Sequence, residues 1–290
     1  MTTTTAIPFR KMNGLGNDFV VFDARQAPVR LSAEDASWLA DRDTGVGCDQ
    51  VIILEPSKTA DVFMRILNAD GSEVAACGNA TRCVAWILSA EKNRPQVTVE
   101  TKAGLLKAAV ASPDEITIDM GEPRFDWQSI PLAEPFKDTR GIELQIGPID
   151  KPILHSPSAV NVGNPHAIFW VDDDPDSYDL ARFGPLLENH PIFPERANIS
   201  LARVTAPDAL TLRTWERGAG LTKACGTAAC AAAVCAARKK LTGRKVKVAL
   251  PGGELLIEWT PENRILMTGP AAFEFFGEID PSALAGWGKG

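Results

Sequence analysis

Apolar and β-branched residues come in short runs broken by glycine, asparagine and proline, and only a few stretches are long enough for helices. Residues 7–12 and 19–23 flank Asn13, Gly14, Leu15, Gly16, Asn17 and Asp18, which reads as strand, glycine loop, strand. Ser32 is placed to cap a helix running to about Arg42, with Glu34 and Asp35 favourable in its first turn. Gly45, Val46, Gly47, Cys48, Asp49 and Gln50 lead into an apolar strand at 51–54, and a further strand at 62–67 ends in the turn residues Asn68, Ala69, Asp70 and Gly71. A helix is predicted over 80–92, after Cys77, Gly78 and Asn79, and Asn93, Arg94 and Pro95 stop it. Strands at 97–101 and 105–110 form a hairpin, and a strand at 115–120 closes this half.

The same order then repeats. Strands fall around Val160, at 167–171, 199–204 and 210–215, with a helix near 180–188. A second helix is predicted over 227–241, with Gly243 as its left-handed cap. Ala228, Ala229, Cys230, Ala231, Ala232, Ala233, Val234, Cys235, Ala236 and Ala237 leave that helix no polar face, so it is expected to be covered on all sides. Landmarks keep a near-constant offset: Gly16 and Asn17 return as Gly163 and Asn164, Val97 to Val99 return as Val246 to Val248, and the Ala-Cys-Gly of Cys77 returns 148 residues later at Cys225. Many strands and few helices point to an α/β (α+β) fold of two pseudo-symmetric halves, each a curved, mostly antiparallel sheet wrapped around its Ala-Cys-Gly helix. The expected division is 1–124 and 125–274, with the tail 275–290, which has no counterpart in the repeat, returning to the first half.

Composition narrows the function. The chain has 290 residues, 45% of them hydrophobic, which is enough for two cores, and a formal charge of −7 without blocks of either sign. Nucleic-acid and membrane partners are therefore not expected. The opening Met-Thr-Thr-Thr-Thr-Ala-Ile has neither a basic nor an apolar leader region, which predicts a cytoplasmic protein. The six cysteines, at 48, 77, 83, 225, 230 and 235, include no C-x-x-C, and with three histidines they form no metal-ligand spacing. They are expected to be thiols, buried or reactive, and no metal or cofactor is implied.

Cys77 and Cys225 each precede a helix, where exposed N–H groups and the helix dipole favour thiolate and are expected to lower the pKa from about 8.5 toward neutrality. Small helix-start cysteines commonly only fill space, but two at matched points of a duplicated chain suggest chemistry. Moving a proton from one face of a carbon to the other needs two groups in opposite protonation states. Two cysteines facing each other across a cleft between halves would supply them. The backbones of Gly78, Asn79, Gly226 and Thr227 would hold an anion. His166 and Glu216 are candidates for setting which thiol carries charge. Asn17, Gln50, Asn68, Asn164 and Asn198, with Arg217, suit a zwitterionic small molecule, the guanidinium forking onto its carboxylate. The Gly14-x-Gly16 and Gly45-x-Gly47 loops lack the third glycine of a dinucleotide site.

The stretches Lys11-Met12-x-Gly14-x-Gly16-Asn17-Asp18-Phe19, Gly45-Val46-Gly47-x-Asp49-Gln50, Asn68 through Glu73, Cys77-Gly78-Asn79, Gly163-Asn164-Pro165-His166, Glu216 through Gly220 and Ala224-Cys225-Gly226-Thr227 together resemble the diaminopimelate epimerase family over about 9–275. The resemblance implies a cofactor-independent epimerase converting LL-2,6-diaminopimelate to the meso form in lysine and peptidoglycan precursor synthesis, often as a homodimer. It implies Cys77 and Cys225 as the base and acid pair, supported by His166 and Glu216, with the other residues named above around the substrate. Two further readings predict exposed thiols or the same fold: another cofactor-free isomerase, and a thiol redox protein.

Overall fold

The computed structural model describes residues 6–284; the opening residues 1–5 and the end of the tail, 285–290, on which the leader and tail readings partly fall, lie outside the described residues. The described chain divides into two units, 6–118 with 269–284, and 119–268.

The first unit is a mixed sheet built from β1 (Ile7–Gly14), β2 (Asn17–Asp23), β3 (Gln50–Glu55), β4 (Val62–Asn68), β5 (Glu73–Val74), β6 (Gln96–Thr101), β7 (Gly104–Ser112) and β8 (Glu115–Asp119). Its helices are α1 (Ala33–Ala40) and α2 (Gly78–Lys92). The β1–β2 hairpin turns on Leu15 and Gly16, both at positive φ, the geometry whose twist matches that of paired strands. β2 runs parallel to β3, β3 antiparallel to β4, β4 parallel to β6, and β6 antiparallel to β7. β2 from Phe19 to Phe22 and β3 from Val51 to Leu54 are apolar at every position because both faces are covered, whereas β6 alternates. Ser32 and Asp35 close a capping box on α1, whose Ala36 and Leu39 pack into a core with Phe9, Val20, Phe22, Val51 and Ile53. α2 packs on β1, β6 and β7 and stops at Asn93 in the left-handed conformation, as its sequence predicts. The strand Ala272–Ile279 pairs antiparallel with β1.

The second unit repeats this order of pairing. Its elements are β9 (Gln145–Ile146), β10 (Leu154–His155), β11 (Ser158–Asn161), β12 (Pro165–Trp170), α3 (Leu180–Glu188), β13 (Asn198–Ala206), β14 (Ala209–Glu216), β15 (Gly220–Leu221), α4 (Gly226–Arg238), β16 (Lys245–Leu250), β17 (Gly253–Trp259) and β18 (Ile265–Gly269). β11 to β12 is antiparallel, β12 to β13 parallel, β13 to β14 antiparallel, β14 to β16 parallel and β16 to β17 antiparallel. This is the sequence of pairings in the first unit, so the duplication read from spacing is also one of topology. α4 packs on β11 to β14, β16 and β17, and its side chains from Ala228 to Ala236 are all buried, as the missing polar face requires. Its end differs from expectation. The helix stops at Arg238, and Lys240, not Gly243, takes the left-handed conformation. Leu241 N–H then reaches Ala236 O at 2.9 Å and Lys240 N–H reaches Ala237 O at 3.0 Å, so the last carbonyls are capped before the glycine is reached. Residues 125–157, unassigned in the sequence, contribute Ile130, Leu132, Ile142, Leu144 and Leu154 to the core around Phe169, Leu187 and Leu201.

Candidate active site

In the first unit, parallel pairing sets Phe19 beside Gln50, and antiparallel pairing sets Gln50 beside Asn68, so Asn17, Gln50 and Asn68 lie at one end of three adjacent strands. The Gln50 amide donates to Asn68 Oδ1 at 2.9 Å, while Gln50 Oε1 is buried with no hydrogen-bond partner among the described residues. Asn68 in turn donates to Ser72 at 3.1 Å. Cys77 caps α2: its sulfur accepts the Ala80 N–H at 3.5 Å, and its thiol lies 3.9 Å from Asn17 Oδ1. That same oxygen accepts from Asn79 at 3.3 Å.

An ion network that the sequence alone does not announce fixes this end of the sheet. Lys11, 4% exposed, pairs with Asp18 at 2.6 Å and also hydrogen-bonds the Gly47 carbonyl. Arg42 bridges Asp18 and Asp49, each at 2.9 Å, and Asp49 accepts from Asn17 Nδ2 at 2.8 Å. Burial alone would raise the Asp18 pKa, but hydrogen bonds and charge from Arg42 and Lys11 outweigh it and hold the carboxyl well below the usual range. Asn17 and the loop before Gln50 are thereby fixed.

In the second unit His166 pairs with Asn198 across β12 and β13, and the β13–β14 register sets Asn198 beside Glu216. The repeat therefore writes His166 where the first unit has Phe19, Asn198 for Gln50, and Glu216 for Asn68. Asn198 is buried, donates to Pro165 O at 2.9 Å and accepts from Arg217 N at 3.0 Å, so its amide ties the His166 strand to the turn after Glu216. His166 is fully buried, with Nε2 2.7 Å from Asn164 Oδ1 and Nδ1 without a hydrogen-bond partner among the described residues. Burial, and then the Arg217 charge, push its pKa down to about 3, so the ring is neutral. Arg217 donates to Glu195 O at 2.9 Å.

Cys225 precedes α4 and is 4% exposed, and its sulfur is 3.5 Å from Thr227 Oγ1. Glu216, partly buried, accepts from the Thr222 hydroxyl, and its carboxyl acts electrostatically on the Cys225 thiol. The expectation of a lowered pKa at a helix start is corrected at Cys225. Burial, then the Glu216 charge, push the Cys225 thiol well above its ordinary value, and the Thr227 hydroxyl and Ala228 N–H only partly offset them. Burial also raises Glu216, against the lowering hydrogen bonds from Thr222 and Cys225. Cys225 is thus a thiol beside an acceptor.

Two contributors were not found from sequence. Glu188, at the end of α3, accepts Trp215 Nε1 at 2.7 Å, Gly218 N at 2.9 Å and Arg196 Nη1 at 3.2 Å, and so clamps the chain on both sides of Glu216 and Arg217. Thr222 holds Glu216 itself. Both are polar residues of common type at unremarkable spacing, and only the strand register brings them to the site. Gly78, Gly226 and Thr227 stand in the first turns of α2 and α4, where helix geometry leaves their N–H groups without intrahelical partners.

The chain as a whole is similar to known proteins. The family model described as diaminopimelate epimerase matches residues 9–126 and 158–274. The chain is 56% identical over 287 residues to a diaminopimelate epimerase of Brucella anthropi, covering 98% of this chain and 95% of that one. It is 58% identical over 279 residues to one of a Chelativorans species, covering 96% and 95%. Among solved structures, a hydroxyproline epimerase from Agrobacterium vitis aligns with TM-score 0.65 at 17% identity, over 96% of this chain and 94% of that one. A Bacillus anthracis phenazine biosynthesis protein of the PhzF family aligns with TM-score 0.64 at 17% identity, over 95% and 99%, so the fold is shared with both. On these matches, the chain belongs to the diaminopimelate epimerase family.

Proposed function

We propose that this chain interconverts LL-2,6-diaminopimelate and meso-diaminopimelate, the reaction for which its family is named, by a two-base mechanism in which Cys77 and Cys225 exchange protons with one α-carbon. The observation that carries the proposal is the pair of helix-start cysteines at equivalent points of a repeated unit, one of them under the influence of the Glu216 carboxyl. A single base returning its own proton would regenerate the starting isomer, so inversion needs one sulfur charged and the other protonated. Cys225, buried beside Glu216, is the one that keeps its proton at rest, which leaves Cys77, whose neighbours are the amides of Asn17 and Asn79, as the base in one direction of the reaction. In the reverse direction Glu216 takes the Cys225 proton, and the neutral His166 helps hold that end of the sheet.

The remaining candidates act on the substrate. First-turn N–H groups at Gly78, Asn79, Gly226 and Thr227 stabilise the carboxylate as charge builds on it. Asn17, Gln50, Asn68, Asn164 and Arg217 hold the distal ammonium and carboxylate, while Asn198 acts through the backbone of Pro165 and Arg217. The ligand is a small zwitterion with no nucleic-acid or membrane partner, no cofactor is needed, and the protein works in the cytoplasm. Among the described residues no helix is long and apolar enough to cross a membrane.

The test is incubation of LL-diaminopimelate with the protein in deuterium oxide, followed by NMR of the α-proton. Loss of that signal with appearance of the meso isomer is expected, and Cys77→Ala and Cys225→Ala each stop it. An unchanged signal, as a thiol redox protein would give, refutes the reading. Near-native turnover in either variant removes that cysteine from the mechanism.

A further inference from the structure

We infer that Thr222 is a positioning residue for proton transfer at Cys225, its hydroxyl holding the Glu216 carboxylate in the orientation and charge state that accept the thiol proton. This deepens the reading of Cys225 and Glu216 proposed above and rests on it. Thr222 follows β15, which folds back on β14 so that Glu216 pairs with Gly220. The threonine is held from two sides: its hydroxyl donates to Glu216 Oε1, and its carbonyl accepts Arg213 Nη1 at 3.3 Å. Arg213 is itself fixed by Asp176, 3.1 Å away. Glu216 Oε1 therefore meets a donor whose backbone cannot drift, and the carboxyl keeps capacity for the thiol.

The internal repeat supplies an independent comparison. In the first unit Ile66 pairs with Val74 and Leu67 with Glu73; in the second, Trp215 pairs with Leu221, which sets Val74 opposite Thr222 in the repeat. The first unit writes Asn68 with Val74, and the second writes Glu216 with Thr222. A neutral amide needs no partner to fix its charge. A carboxylate in a site that disfavours charge does, and the hydroxyl that donates occurs in the half that has the carboxylate, whereas the first half's Ser72 hydroxyl accepts from the Asn68 amide at 3.1 Å.

When Cys225 is to act as base, its S–H bond breaks and an O–H bond forms on Glu216, moving one negative charge from oxygen to sulfur. The reverse step restores the thiol. A donor on Glu216 favours the charged carboxylate, so removing it keeps Glu216 protonated to higher pH and leaves less of it able to accept. The other ionisable or charged groups near that end of the sheet are His166 on β12, Glu188 on α3, Arg213 on β14, and Arg217 and Lys223 flanking the hairpin. His166 is neutral; the Glu188 carboxylate accepts from Trp215, Arg196 and Gly218 N, Arg213 bonds Thr222 O and pairs with Asp176, and Arg217 donates to Glu195 O.

The experiment is the pH profile of kcat/KM measured in both directions of the conversion, the one in which Cys225 is the base being decisive, in wild type, Thr222→Val and Thr222→Ser, together with the pH dependence of iodoacetamide labelling at Cys225, read by peptide mass spectrometry. Thr222→Val installs the residue of the first half. The expected result is an acid limb moved upward, with kcat/KM at pH 6 reduced roughly tenfold, as for loss of one hydrogen bond to a charged group. Thr222→Ser restores the wild-type profile, and KM changes little in either. The proposal is overturned if Thr222→Val keeps the wild-type limb, or if the serine variant is as shifted as the valine one. Should the valine variant not fold, Thr222→Ala is judged by the same two criteria. Turnover persisting in Cys225→Ala defeats the underlying reading instead, a result the Thr222 profiles do not mimic.

Discussion

The Lys11–Asp18 pair is the place where stability and site geometry meet, and Lys11→Met separates them. Methionine keeps most of the volume but removes the charge. Breaking a buried ion pair costs about 3–5 kcal/mol when the partner charge is stranded. Here Asp18 is not stranded: Arg42 donates to it at 2.9 and 3.1 Å, and the Asp49 N–H adds a bond at 3.0 Å, which brings the expected loss toward about 2 kcal/mol. The Gly47 carbonyl also loses its buried donor, for about 1 kcal/mol more. The sum, about 3 kcal/mol, contrasts with Arg42→Met, whose 59% exposed guanidinium should matter by under about 1 kcal/mol.

Urea unfolding followed by circular dichroism measures both. The pH dependence checks the cause. Asp18 has its folded pKa depressed below the unfolded value of 3.8, so its stabilisation is complete above that value and is lost as pH falls below it toward the folded pKa. The gap between wild type and Lys11→Met should hold constant from pH 8 to 5 and narrow below about 4. A loss no larger than that of Arg42→Met, or a gap indifferent to acid, would refute the assignment of this pair as a buried anchor.

Three other outcomes are expected. Gly184→Ala places a Cβ 2.4 Å from the Trp215 ring, which should cost about 1–3 kcal/mol in thermal unfolding and lower kcat, because Trp215 precedes Glu216. Glu216→Gln should cut turnover by roughly 100- to 10,000-fold while speeding iodoacetamide labelling of Cys225, since the carboxylate's charge and hydrogen bond both push that thiol upward. Labelling that slows with turnover would contradict the pairing. Lys240→Gly should raise stability by about 0.5–1 kcal/mol in urea, because Lys240 sits at φ 61°, a conformation glycine takes without strain.

The elements that the sequence located well are those whose signals are local. Ser32 and Asp35 cap α1, Asn93 ends α2, and the apolar surface of α4 required cover on every side, all readable within a few residues. The glycine at 243 misled for an equally local reason: glycine favours the left-handed conformation but does not compel it, and the chain made the turn at Lys240 where carbonyl capping was already satisfied. Residues 125–157 gave no periodic signal because their apolar side chains dock singly onto a core formed by distant strands.

The repeat, the two helix-start cysteines and the family were determined by the chain itself, because each is a matter of residue type and spacing that survives without coordinates. The protonation of Cys225 was decided by tertiary structure. Helix-start geometry argues for thiolate in any context, yet burial and a carboxylate delivered by β14 reverse it, and Glu216 is brought there, with Thr222 holding it, only once the strands are in register. Electrostatic environment depends on what surrounds a group in space, and linear order records that only where neighbours in the fold are also neighbours in the chain.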